Sequence, residues 1–293
     1  MFVDAIEKVA TFTRPINTIS RIYSSKIIMP GSSTLFFVNE EGYAITCKHV
    51  LEMLGASDTI NNNYKNFIEE RSALKQDGKY KANVKGLELK YKYESNSTVQ
   101  LKNTFVDCVD SMSGFTWHLH PTLDLGIIKF NDFKNILYQD CAKFIKDTSR
   151  IKQGLSLCRL GFPFPEFSNF KYNSQTDDIE WAEGLNHSPR FPIDGMVTRF
   201  LADKDSLYGI ELSTPGLRGQ SGGPLFDSKG LIAGMQFSTK HLHLGFDLVE
   251  KEILINNQVK KISDYSFLHL GQCIHADAIK SFLKSHNVKY YEE

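Results

Sequence analysis

The segment Gly219-Gln220-Ser221-Gly222-Gly223-Pro224-Leu225 constrains this chain more than any other. Glycines on both sides of a single serine permit a sharp turn that exposes the hydroxyl and gathers amide N–H groups around one small space. A reacting carbonyl oxygen fits such a space, because each fixed backbone donor stabilises a developing oxyanion by about 2.7–4 kcal/mol. The residue types are therefore those of an acyl-transfer nucleophile lying in its own oxyanion hole. Two other readings of G-x-S-x-G stay open at this point. One is a plain Gly/Ser turn; the other is the nucleophile elbow of α/β-hydrolases, whose acid and histidine follow the serine.

A serine hydroxyl is a poor nucleophile until a base takes its proton, and a histidine base needs a carboxylate to fix its tautomer. Candidates for both lie upstream. Residues 33–38 are a β-prone apolar run, 39–42 a turn, and 43–47 a second β run that ends at Lys48-His49-Val50, so His49 falls just past a hairpin strand. Leu123-Asp124-Leu125-Gly126-Ile127-Ile128 sets one acid at the mouth of a buried strand, where an ionised carboxylate needs a partner. After the serine, Pro224-Leu225-Phe226 and the turn at 227–230 suit a β-hairpin, not the strand-to-helix turn of a hydrolase elbow.

Thr46-Cys47-Lys48-His49-Val50, the Asp124 segment and the Ser221 segment, in that order, resemble the three signature blocks of trypsin-like (chymotrypsin-fold) serine proteases. They are most similar to the bacterial high-temperature-requirement type, and the resemblance runs over residues 30–285. It implies an all-β protein with minor helices, built as two six-stranded antiparallel β-barrels and a C-terminal helix. The expected bounds are 20–135 for the first barrel, 150–272 for the second and 276–286 for the helix, within one peptidase domain over 1–293. It also implies a serine endopeptidase acting on protein or peptide substrates, with no cofactor and no metal. His49 would be the base, Asp124 its orienting acid and Ser221 the nucleophile, and the backbone N–H groups of Gly219 and Ser221 would hold the oxyanion.

Departures from the digestive enzymes of that family shape two further expectations. Pro215 stands where trypsin carries the acid that captures a basic side chain, so the pocket walls are expected from Pro215 to Arg218 and from Phe237, Ser238 and Thr239. That mixed surface suits an uncharged residue on the acyl side of the scissile bond (P1), while Arg218 offers selection of an acidic one. Gln220 replaces the aspartate that pairs with a newly freed N-terminal amine, so an active oxyanion hole is expected without N-terminal processing. A catalytically silent barrel that binds peptides or a partner protein is the second function class; an intact His49, Asp124 and Ser221 argues against it.

The interval from His49 to Asp124 is longer than the resemblance implies. Within it, residues 61–75 place Tyr64, Phe67, Ile68 and Leu74 in a partly helical pattern, and 87–93 alternate like a half-buried strand. Residues 55–115 thus read as an insertion on the first barrel, serving as a lid, as a surface for a regulatory partner, or as a loop without function. Net charge is zero, with 34 basic and 34 acidic residues and no long single-sign run, which disfavours a nucleic-acid partner. Cys47, Cys108, Cys141, Cys158 and Cys273 are odd in number and scattered, without metal-ligand spacing, which argues against a disulfide framework. Residues 1–10 are amphipathic, unlike a secretory signal, and no stretch reaches membrane-spanning length. The expected location is the bacterial cytoplasm, and the chain's end after the C-terminal helix leaves no room for the appended peptide-binding domain of the high-temperature-requirement type.

Overall fold

The computed structural model describes residues 1–203, 206–256 and 258–293. Short apolar runs broken by Gly, Asn and Asp form strands over most of it. Helix α1 (Val3–Ala10) lays Ala5 and Val9 on the core and feeds the first sheet. That sheet has six strands, β1 (Thr13–Ile22), β2 (Ile28–Phe37), β3 (Tyr43–Thr46), β4 (Thr98–Phe105), β5 (Gly114–Leu119) and β6 (Gly126–Asn131), in the order β4-β1-β2-β3-β6-β5. Its outer strands meet through aromatic packing: Phe105 and Phe115 contact edge to face with ring centroids 5.2 Å apart.

Between β3 and β4 the long interval folds as α2 (Lys48–Ser72) and α3 (Tyr80–Tyr91). The strand expected over 87–93 is not formed. Helical spacing lets Leu87 and Tyr91 join Tyr93 against Tyr23, Tyr64 and Phe67, and Lys92, at φ 57°, caps the helix in the left-handed region. The expected insertion also contains β4, an integral strand of the first sheet, so only the two helices are additions to it.

The second sheet is built from β7 (Lys143–Phe144), β8 (Ser156–Gly161), β11 (Phe191–Asp203), β12 (Ser206–Leu212), β13 (Pro224–Phe226), β14 (Ile232–His243), β17 (Phe267–His275) and β18 (Tyr291–Glu292). Six of these close on themselves in the order β13-β8-β11-β12-β17-β14, because β13 pairs with β14 through Pro224↔Met235 and Leu225↔Gly234. The two-residue strands β7 and β18 extend this barrel by parallel pairing. Two separate hairpins complete the sheet content, β9 (Phe170–Asn173) with β10 (Asp178–Trp181), and β15 (Leu248–Ile255) with β16 (Gln258–Asp264). Helix α4 (Ala276–Ser285) follows β17, capped at its start by the His275 ring, which accepts the Asp277 N–H.

The two sheets share a core. Phe36, Ile45 and Ile127 of the first cluster with Leu160, Phe226 and Met235 of the second, and α4 adds Ile279 and Leu283. Each such side chain contributes about 1.5–3 kcal/mol by leaving water. Among the described residues no helix is long and apolar enough to cross a membrane. Phe67 of α2 is fully buried against α3, Tyr23 and Val99 of β4. Phe67→Ala should cost about 3–5 kcal/mol of stability, measured as a lower denaturation midpoint, with amide exchange in α2 and α3 quickening before that of the barrel strands.

Candidate active site

Cys47, extended at φ −73° and ψ 147°, ends the β3 segment and starts α2, so His49 stands in the first helical turn at the barrel rim. Asp124 lies in the turn before β6. That turn is braced by His120, whose Nδ1 accepts the N–H groups of Thr122 at 3.2 Å and Leu123 at 2.9 Å. An accepting ring must be neutral there, and burial, with Lys48 nearby, pushes the His120 pKa down to favour that state.

Asp124 Oδ2 lies 2.7 Å from His49 Nδ1, and Oδ1 accepts the His49 backbone N–H at 2.9 Å. Both carboxylate oxygens therefore act on one residue. The pairing fixes the ring and occupies Nδ1, leaving Nε2 for a second partner. Burial opposes ionisation of Asp124, but the hydrogen bonds from the His49 ring and backbone outweigh it and hold the carboxyl below its usual 3.8.

Ser221 sits in a loop that only glycine permits. Gly219 (φ +89°) and Gly222 (φ +86°) occupy the left-handed region; a Cβ on Gly219 would lie 2.5 Å from Phe162 O, and one on Gly222 would collide with Thr34 O. This close approach lets Thr34 of β2 grip the loop. Its N–H donates to Ser221 O at 2.9 Å, and its Oγ1 donates to Gly219 O at 2.7 Å. Thr46 Oγ1 donates to Thr34 O at 2.7 Å, linking the grip to the strand that leads to His49. Within the loop the N–H groups of Gln220, Gly222 and Gly223 donate to the carbonyls of Leu217, Gln236 and Gln220. Among the described residues, those of Gly219 and Ser221 meet no protein acceptor.

Ser221 and His49 line one cavity of about 530 Å³ together with Ser32, Met53 and Pro163. On its other side Ser221 lines a second cavity of about 510 Å³, whose walls include Pro215, Arg218, Phe237, Ser238 and Thr239. Of the residues singled out from sequence, His49, Arg218, Gly219 and Ser221 line the first cavity, Pro215, Arg218, Phe237, Ser238 and Thr239 line the second with Ser221, and Asp124 joins them through His49. Gln220 is fully buried, with Oε1 accepting the Leu217 N–H at 3.0 Å and Nε2 donating to Phe191 O at 3.1 Å. Sulfur and ligand spacing in the sequence do not reveal one grouping: ligating atoms of Cys47, His49 and Asp124 all lie within 4.8 Å of one another. Burial, reinforced by Asp124, pushes the Cys47 thiol well above its ordinary value, and Sγ donates to Gln236 O at 3.4 Å, so it is a protonated donor and a poor metal ligand.

Residues 33–235, which hold all three blocks, match the trypsin-like peptidase domain family. The chain belongs to that family. A search of the curated proteins finds no match. Among solved structures, this trypsin-like peptidase domain is similar to the HtrA-type protease AlgW with tripeptide, at 14% identity and a TM-score of 0.47, over 98% of this chain and 65% of that one. It is also similar to AlgW with decapeptide, at 12% identity and a TM-score of 0.47, over 97% of this chain and 67% of that one. It spans under two thirds of the length of the first AlgW chains it matches.

One polar group at this site escaped the sequence reading. Arg159 of β8 is fully buried and donates from Nη1 to Gln236 Oε1 at 2.8 Å, behind the second cavity. The available signal was a lone arginine inside the run Leu157-Cys158-Arg159-Leu160, which otherwise reads as an interior strand.

Gly222→Ala, forced into the left-handed region, should cost at least about 1–3 kcal/mol. Gly86→Ala in α3, where a Cβ meets nothing within 4 Å, should instead raise the melting temperature. For Asp124 the folded-state pKa is depressed, so its pairing stabilises above the ordinary 3.8 and fades as pH falls through the lower folded value. The stability difference between the native chain and Asp124→Asn should therefore shrink on acidification below pH 3.8.

Proposed function

We propose that the chain is a serine endopeptidase that hydrolyses peptide bonds of protein or peptide substrates, its two sheets acting as one peptidase domain. The observation that carries this reading is the 2.7 Å link from Asp124 to His49 Nδ1 in the cavity that Ser221 also lines. His49 Nε2 takes the Ser221 proton as Oγ attacks the substrate carbonyl, then delivers it to the leaving amine. Asp124 keeps the ring in the productive tautomer and stabilises the imidazolium that forms. The N–H groups of Gly219 and Ser221 receive the oxyanion, each about 2.7–4 kcal/mol more effective there than an absent donor. Water then repeats the cycle on the acyl-enzyme.

The second cavity holds the P1 side chain, with Pro215, Arg218, Phe237, Ser238 and Thr239 as its walls. Gln220 gives the loop a neutral anchor that needs no incoming ammonium, which supports an oxyanion hole formed without N-terminal cleavage. Ser221→Ala should lower peptide hydrolysis by about a millionfold and abolish labelling by a fluorophosphonate, and Asp124→Asn should lower kcat by about ten-thousandfold. Unchanged hydrolysis by purified Ser221→Ala protein would refute the assignment.

A further inference from the structure

The second cavity carries more information about substrate than its walls alone. Behind it, Arg159 has no exposed surface and, among the described residues, no ion pair; the carboxylate that favours its charge, Asp194, acts from beyond ion-pair distance. Its Nη2 donates to Thr214 Oγ1 at 2.6 Å and to Thr214 O at 3.1 Å, its Nη1 to Gln236 Oε1, and its buried Nε has no partner. A buried cation without a paired anion is costly to maintain.

Gln236 passes that charge to the cavity. Its oxygen faces Arg159, so the amide nitrogen is directed the other way and donates to Ser238 O at 2.6 Å, in the cavity wall. An amide nitrogen has two hydrogens, and the guanidinium polarises both. Arg218 stands exposed on the same wall, and His241 and His269, with Nδ1 atoms 2.5 Å apart, line the outer end. Among the described residues, every lining group able to bear charge is basic, and no Asp or Glu is part of the lining.

We propose that this cavity selects an acidic P1 residue, glutamate or aspartate, whose carboxylate is received by Arg218 and the Gln236 amide with Arg159 behind it. The proposal rests on the peptidase reading and takes the acidic alternative that Arg218 offers over the uncharged one, because of the buried arginine that the sequence does not disclose. A lysine or arginine at P1 would bring a second cation toward Arg159.

The test uses the full chain and fluorogenic peptides identical except at P1, which is Glu, Asp, Gln, Leu or Lys. The acidic peptide should exceed its glutamine isostere in kcat/KM by about tenfold or more, the worth of one charge-assisted hydrogen bond. Arg218→Gln and Gln236→Leu should each reduce the Glu-to-Gln ratio by about threefold or more, a readout that general loosening of the fold would leave unchanged. Labelling of Ser221 by an uncharged fluorophosphonate confirms that each variant is folded. Cleavage of the Gln, Leu or Lys peptide as fast as the acidic one, or ratios unmoved in both variants, overturns the proposal while leaving the peptidase reading intact. Absence of both cleavage and labelling overturns the two together.

Discussion

Thr34 joins the first barrel, which carries His49 and Asp124, to the loop of the second that carries Ser221. Its N–H and hydroxyl grip the backbone on either side of Gln220, and its carbonyl receives the Thr46 hydroxyl two residues short of α2. Thr34 and Thr46 are fully buried at the junction, where a lost partner leaves a desolvated polar atom costing about 1–3 kcal/mol. The hydrogen bonds thus act chiefly as position constraints. For the proposed pair of nucleophile and base, an error of about 1 Å costs roughly a hundredfold in rate, and the Thr34 grip ties the Ser221 loop to the strand that leads to His49.

That grip explains the glycines better than turn-making alone does. Thr34 O approaches the loop so closely that any Cβ at Gly222 would displace it, and Phe162 O excludes one at Gly219. The same close approach leaves the Gly219 and Ser221 amides turned away from protein acceptors. Local backbone freedom, contact between barrels and the unpaired donors are therefore one arrangement seen from three sides.

The candidate site was legible in the sequence because the proposed nucleophile, base and acid demand particular residue types, and each is flanked by short β runs that fix its place. His49 past β3, Asp124 before β6 and Ser221 before the β13–β14 hairpin follow from those runs. Residues 87–93 misled because a short run containing Leu87, Tyr91 and Tyr93 satisfies both periods, and the aromatic cluster around Phe67 decides between them only in three dimensions. Arg159 was hidden for a related reason. Its strand reads as interior, and only the folded barrel shows that the guanidinium is turned toward Gln236 and Thr214. The β15–β16 hairpin pairs with no other sheet, and its exposed Val249, Leu254 and Val259 leave no inward-outward alternation to read.

Helix α2 begins with the turn that carries His49 and continues for 25 residues, roughly 37 Å at 1.5 Å per residue. Partway along, Tyr64 donates to Asp177 at 2.7 Å, in the β9–β10 hairpin that hangs from the second barrel, and Arg71 reaches the same carboxylate at 3.9 Å. His49 thus rides on a helix that is also tied to β4, through Asn61 and Leu101, and to the β9–β10 turn, through Tyr64 and Arg71. Its alignment is set by the frame that holds the helix, so a shift of β4 or of the β9–β10 turn would be felt at the imidazole.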